Sequence, residues 1–351
     1  MIQLSSILMY ILPLSLLTGP FISDLSISIV SLIFLYLSIS KKEWFYYTNI
    51  FSVTFFIFCL YIILRSLLSS DVLLSLESSL FYFRFGLFAL AVWYLINNNN
   101  YFLKKFTLFI LIIFVYALID GIYQYFNTEN LFGIESNKVR MNLSFSDELI
   151  LGGYLARMFP LLLALVILNY HIKNYMIYFV AVLLIVTDVM IYITGERSAI
   201  FLLTFATCYI ILLIDRYKKL RIITFIISML IIFLITIFNQ NIRERNIDYT
   251  LEQMSSSNKE IPGNEIENHL IDASENEKDE IIFFSKEHNA YIRTSLNMFS
   301  DNIIFGQGPK MFRKNCQEEK FAYNKSSCST HPHHTYFQLL GETGLIGFLF
   351  S

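Results

Sequence analysis

The sequence predicts an all-α, polytopic bundle of transmembrane helices. Of its 351 residues 55% are hydrophobic and 17% aromatic, and only 15% are charged, where a soluble globular chain carries about 25% charge. Mean hydropathy is +0.55, and several apolar runs reach about 20 residues, enough to cross roughly 30 Å of hydrocarbon. The charge is also segregated: residues 239–335 hold 26 of the 54 charged side chains. A net charge of -2 gives no reason to expect a nucleic acid partner.

Polar breaks divide residues 1–238 into nine spans, with a tenth beginning at 336. The first, 4–18, is short and contains Pro13, which kinks a helix; it lacks the basic start and small-residue cleavage site of a signal peptide. The second, 22–39, stops before Lys41 and Lys42, and the third, 45–64, stops before Arg65. The fourth, 79–96, is followed by Lys104 and Lys105, and the fifth, 106–125, by a loop with Lys138 and Arg140. The sixth, 149–168, precedes Lys173; the seventh, 175–193, and eighth, 199–214, flank a tight turn at 194–198. Arg216, Lys218, Lys219 and Arg221 separate the eighth from the ninth, 222–238. Three regions result: a bundle over 1–238, a polar loop over 239–335, and the start of a further helix over 336–351, where the chain reads as truncated. No internal repeat appears at 20–50 residues.

Cytoplasmic loops retain Lys and Arg. A cytoplasmic N-terminus puts nine basic residues of the short loops inside, against Arg65, Lys138, Arg140 and Arg197 outside. The expectation is a multi-pass protein of a bacterial inner membrane with the 239–335 loop in the periplasm. Cys59 and Cys208 lie within spans and read as small buried hydrophobes. Cys316 and Cys328 share the outer loop, where an oxidising compartment permits a disulfide; two free thiols remain the alternative. Within the loop, residues 239–287 read as a solvated segment, with Ser255 to Ser257 and an acidic stretch from Asp272 to Glu280. Asn289 to Phe299 has the pattern of an amphipathic helix, which the turn Gly306-Gln307-Gly308-Pro309 stops.

Ionisable groups in a membrane are costly and mark sites. Arg84 and Arg157 fall inside spans toward the outer side, and Arg197 sits in the short outer turn after Gly195-Glu196. Facing guanidinium groups repel unless an anion neutralises them, and Arg suits phosphate oxygens. The competing reading of each is a snorkelling side chain or a local ion pair, with Asp120 and Asp188 as counter-ions. His331-Pro332-His333-His334 precedes the tenth span. Adjacent histidines do not readily share one tetrahedral ion and no carboxylate or cysteine stands at ligand spacing, so no metal or other cofactor is expected. An imidazole at the membrane boundary suits proton transfer from a sugar hydroxyl. Gly341, Gly344 and Gly347 form a small-residue face for close helix packing. Glu342 reads either as a helix-start acid or as a hydrogen-bond partner of the site.

His333, a polar residue at 334, nine further residues and Gly344-Leu345-Ile346-Gly347 together resemble the signature of the O-antigen ligase and polymerase superfamily. Thr194-Gly195-Glu196-Arg197-Ser198 looks like its Arg-Ser turn. Arg293 with Ile304-Phe305-Gly306-Gln307-Gly308-Pro309 looks like its loop arginine and following turn, and Asp147 through Arg157 resembles its segment entering the middle helix. The likeness spans roughly 75–351. The family commonly has Asn, Ser or Gln where this chain has His334, so either ring could react; the spacing to Gly344 favours His333.

The resemblance implies a GT-C-like, metal-independent membrane glycosyltransferase without cofactor. Its donor would be an undecaprenyl-diphosphate-linked glycan, and its acceptor a lipid A core for a ligase or a second lipid-linked glycan for a polymerase; the His-GxxG spacing leans to ligase. Arg197 and Arg293 would hold the diphosphate with Arg84 or Arg157 beneath, His333 or His334 would act on the acceptor hydroxyl, and Glu342, Gly344 and Gly347 would support them. A transporter of lipid-linked sugars is the reading from another class, and the concentration of Arg and His at one face speaks against it.

Overall fold

The protein, represented by a computed structural model, is described over residues 1–135, 140–145, 149–170, 176–248, 251 and 286–351. Lys138, Asp147, Glu148, Lys173, Lys259 and Lys278, with the serine-rich and acidic stretches of the large loop, lie outside the described residues. Among those described, no β-strand forms; in chain order the elements are α1 (Ile2–Ser15), α2 (Pro20–Ser40), a 3-10 turn (Trp44–Tyr46), α3 (Ile50–Leu67), α4 (Val72–Ser79), α5 (Phe83–Asn98), α6 (Phe102–Asn127), α7 (Leu151–Asn169), α8 (Met176–Ile193), α9 (Arg197–Leu213), α10 (Asp215–Phe238), α11 (Gln240–Arg243), a π-helix (Glu244–Asp248), α12 (Lys286–Asp301), α13 (Phe312–Asn315) and α14 (Thr335–Leu349).

Seven of the described segments are long and apolar enough to cross a membrane: 20–40, 50–67, 72–98, 102–127, 151–169, 176–193 and 217–238. Two of the nine expected spans, α1 and α9, are apolar but shorter. At a rise of about 1.5 Å per residue, 14 residues reach only about 21 Å. The fourth expected span, 79–96, is α5, and the short helix α4 precedes it. Between them Tyr82 N–H bonds Ser79 O and Arg84 N–H bonds Phe81 O, a tighter three-residue closure than the α-helix makes. Arg84 therefore stands at the start of α5, within the 72–98 segment. The tenth helix begins at Thr335 and is interrupted at Gly344, whose φ of 63° and ψ of -167° are not helical.

The chain divides into two compact units, one of residues 1–36 and 88–249, the other of 37–87 and 250–351. The first is built on α6, α7, α8, α9 and α10, with α1 against α6. Its core closes on Phe114, Ala117, Leu151, Leu155, Ile191 and Ala199. Inside it Arg221 makes a bidentate pair with Asp188, Nη1 to Oδ2 at 2.8 Å and Nη2 to Oδ1 at 2.9 Å, both side chains 1% exposed. Ser228 Oγ donates to the same carboxylate at 2.8 Å, and Thr207 Oγ1 accepts from Arg221. Arg221 is thus no loop charge, and Asp188 is its counter-ion; the pair ties α8, α9 and α10 together where no water can substitute. Asp120 in turn accepts the Leu131 N–H at 2.8 Å and the Ser144 hydroxyl at 2.5 Å.

In the second unit α3 packs on α4, and α14 on α12 and α3. Ser66 Oγ lies 2.7 Å from Ser79 Oγ and accepts from Ser75 Oγ at 2.9 Å, which pairs the two helices through hydroxyls. Met298, Met311, Phe312 and Phe321 form a small core beside the disulfide Cys316–Cys328.

Breaking the buried pair from one side leaves an unpaired charge, a cost of about 3–5 kcal/mol. Arg221→Met is expected to abolish the folded, monodisperse protein in detergent, whereas Arg221→Met with Asp188→Leu restores a melting transition. Thermal unfolding of the three proteins measures it; a single variant as stable as the double contradicts the pairing.

Candidate functional site

In the first unit the chain turns from α8 to α9 through Thr194-Gly195-Glu196. Gly195 adopts φ 76°, a left-handed conformation that glycine enters without steric cost. The turn aims the Glu196 carboxylate at the start of α7, where Oε1 accepts the Gly152 N–H at 2.7 Å and Oε2 the Gly153 N–H at 2.9 Å. These donors have no partner within their helix, and the positive end of the helix dipole favours the anion. The paired glycines allow the approach: a Cβ on Gly153 would stand 3.0 Å from Glu196 Oε2 and 2.8 Å from Arg157 Nη1.

Arginines gather about this carboxylate. Arg157, exposed one turn into α7, donates to Gly153 O at 3.0 Å. Burial raises the Glu196 carboxyl above its ordinary range, opposed by the two N–H bonds and by the charges of Arg140 and Arg157. Arg140 is also close enough to act electrostatically on Arg197, the exposed first residue of α9, and on Arg245 in the π-helix. Arg140 and Arg245 were only loop charges in the sequence; they enter the cluster through the fold, and no local pattern marks them.

In the second unit the two glycine motifs of the sequence form one interlocked structure. The 303–308 segment runs along the break in α14: Leu345 N–H bonds Ile303 O at 2.8 Å, Gln307 N–H bonds Gly341 O at 2.9 Å and Gly308 N–H bonds Glu342 O at 2.7 Å. A Cβ on Gly306 would meet Gly344 N at 2.5 Å, and one on Gly344 would meet Gly306 N at 2.6 Å. The expected small-residue helix face is therefore corrected at Gly344, which ends a helical stretch to admit a loop. Gly341 does face a helix, at Ser295 of α12, and Gly347 lies near Tyr61 of α3. Arg65, buried near the end of α3, donates to Phe305 O at 3.1 Å, Gly306 O and Leu68 O at 2.8 Å, and Tyr61 donates to Thr343 O at 2.6 Å. Glu342, buried, accepts the Phe312 N–H at 3.2 Å and the Gln338 amide at 3.1 Å. Its partners are thus a backbone N–H and a neighbouring side chain on its own helix.

The histidines lie at the opening of α14. His333 is exposed, has φ 53°, and its Nε2 is 3.0 Å from Ser329 Oγ. Its ring centroid is 4.2 Å from His331, 5.5 Å from His288 and 5.6 Å from Tyr291. His334 turns instead toward Phe337, at 4.6 Å. Among the described residues no group of three or more His, Cys, Asp or Glu has the arrangement of a metal site. Arg293, exposed on α12, stacks over Tyr323 at 5.8 Å, and Arg84 over Phe85 at 5.0 Å. The structure thus groups Arg157 and Arg197 with Arg140 and Arg245 in the first unit, while His333, His334, Arg84, Arg293 and Glu342 belong to the second. His288 joins the imidazole cluster from 45 residues away in sequence, which spacing alone did not reveal.

The sequence model of a family described as O-Antigen ligase matches residues 179–351. No curated protein and no solved structure matches the chain.

Burial first, and then the neighbouring His333, hold His288 below the ordinary histidine value of 6.5, with Glu287 opposing. His331 is held down in the same way, with Arg313 adding to His333. A lowered native value means the unfolded chain takes the proton first, so the stability these groups give is present above pH 6.5 and is lost as the pH falls from there through their native values. Histidine-selective NMR titration should place both midpoints below 6.5, and His333→Gln should raise both. Midpoints at or above 6.5 would contradict the cluster.

Proposed function

Because the model of a family described as O-Antigen ligase matches residues 179–351, we propose that this multi-pass membrane protein transfers a glycan from undecaprenyl diphosphate to a lipid A core, at the periplasmic face of a bacterial inner membrane. The observation that carries the reading is the gathering of Arg140, Arg157 and Arg197 about Glu196, where the starts of α7 and α9 meet. Such a group of guanidinium charges favours a multiply charged anion. A lipid diphosphate leaving group has that charge and belongs at a membrane surface.

The chemistry assigned is a single displacement. The oxygen of the acceptor hydroxyl bonds to the anomeric carbon of the donor sugar while the bond from that carbon to the diphosphate oxygen breaks. His333 takes the hydroxyl proton, and the diphosphate departs on its lipid with its charge held by Arg197 and Arg157. His333 is preferred to His334 because its ring is exposed beside Ser329 and His331, whereas His334 packs on Phe337.

Loss of a general base costs about 100-fold to 10,000-fold. Reconstituted His333→Ala and Arg197→Ala proteins are expected to lose transfer by at least about 100-fold while inserting and melting like the wild type; His334→Ala keeps most of it. Gel analysis of glycan joined to lipid A core reads the result, and chain-extended lipid-linked product in its place would assign a polymerase. Transfer at the wild-type rate by His333→Ala would sink the assignment.

A further inference from the structure

At the ends of α6, α8 and α10 the first unit holds a cavity of about 280 Å³. Arg140 and Arg245 line it together with Gln124, Tyr125, Asn239 and Asn241. Its volume lies just under the roughly 300–1,000 Å³ of small-molecule sites, room for one substituted sugar ring and not for an oligosaccharide. Both guanidinium groups line the cavity, and burial first and Arg140 after it lower the hold of Arg245 on its proton, with Tyr192 opposing. Arg245 is nevertheless held in place by a hydrogen bond to Ile193 O, and the π-helix that carries it is tied down by Asn246 Nδ2 to Tyr192 O at 3.1 Å. The charge is built in, at the expense of burial and repulsion.

The remaining wall offers neutral donors and acceptors. Gln124 is spent on the fold: it donates to Asp120 Oδ2 and Asn142 O and accepts from Asn142 N–H. Asn239 donates to the Tyr125 hydroxyl at 3.2 Å and caps α11 through Ile242 N–H at 3.2 Å, which leaves the phenolic proton of Tyr125 to donate elsewhere. Asn241, on the first turn of α11, is exposed. An arginine pair next to a phenol and an exposed carboxamide matches a compound that is anionic at one end and hydroxylated at the other.

We propose that this cavity binds a glycosyl phosphate, with the phosphate between Arg140 and Arg245 and the sugar ring against Tyr125 and Asn241. The proposal rests on the transferase reading in that the donor's phosphate-proximal sugar would be its occupant, and it adds two residues that neither the motifs nor their spacing single out. Arg140 then serves both the cavity and the Glu196 cluster. A sugar-phosphate lipid headgroup carries the same chemistry, and the experiment separates the two sources.

The full-length protein in neutral detergent is titrated calorimetrically with glucose 1-phosphate, with inorganic phosphate and with glucose. Glucose 1-phosphate is expected to bind at least tenfold more tightly than either fragment. Arg140→Gln and Arg245→Gln each weaken it at least tenfold. Because Arg245 also anchors its own helix, Asn241→Ala supplies a variant at an exposed position: it weakens glucose 1-phosphate severalfold and leaves inorganic phosphate unchanged. Equal affinity for inorganic phosphate and glucose 1-phosphate, or unaltered binding by Arg140→Gln, overturns the proposal. In nanodiscs, a polyprenyl-diphosphate-linked monosaccharide displaces the probe; displacement by phosphatidylinositol alone overturns the donor assignment. Wild-type protein that binds the probe but transfers no glycan refutes the transferase reading and spares the site. Wild-type transfer with an unchanged donor KM in Arg245→Gln refutes the site and spares the reading.

Discussion

A single carboxylate organises the charged end of the first unit. Backbone N–H groups at a helix start need partners, and in a bilayer water is not there to supply them. Glu196 meets the first free donors of α7 from the turn between α8 and α9, so helix capping and the placement of Arg197 follow from one contact. The contact needs Gly152 and Gly153, because side chains there would collide with Thr194, Glu196 and Arg157. Glu196 also bears on the local charge balance, as the carboxylate on which Arg140 and Arg157 act.

The second unit fixes the backbone around an exposed imidazole. His333 lies in a left-handed conformation just before α14. The helix is fixed by backbone bonds to the 303–308 segment on one side and by α12 on the other, where Ser295 Oγ donates to Phe337 O at 2.6 Å. Arg65 and Tyr61 of α3 hold the same joint through carbonyl oxygens alone. The spacing from His333 to Gly344 is then the length of helix between the imidazole cluster and the joint that anchors it.

Much of this was legible in the sequence, and the rest was hidden for physical reasons. The helical spans could be read because length and hydropathy are local properties, and α12 because its polar and apolar positions alternate with the helix period. The glycines after Glu342 were read as a packing face, since Gly-x-x-Gly spacing looks the same whether a helix continues or breaks; only the φ of Gly344 tells them apart. Arg221 counted as a cytoplasmic loop charge because it follows Arg216, Lys218 and Lys219, and only the fold brings Asp188 to it. Arg140, Arg245 and His288 were passed over for the same reason: each meets its partners across long stretches of chain, with no spacing rule to connect them.

The account stands or falls on whether the bond to the diphosphate is broken. With the protein reconstituted beside a radiolabelled undecaprenyl-diphosphate glycan and lipid A core, the direct measurement is the ratio of free undecaprenyl diphosphate to glycosylated acceptor over a time course. A transferase that displaces the diphosphate in one step gives equal amounts of the two at every time point. Intact donor recovered on the opposite face of the membrane, with neither product formed, would contradict it.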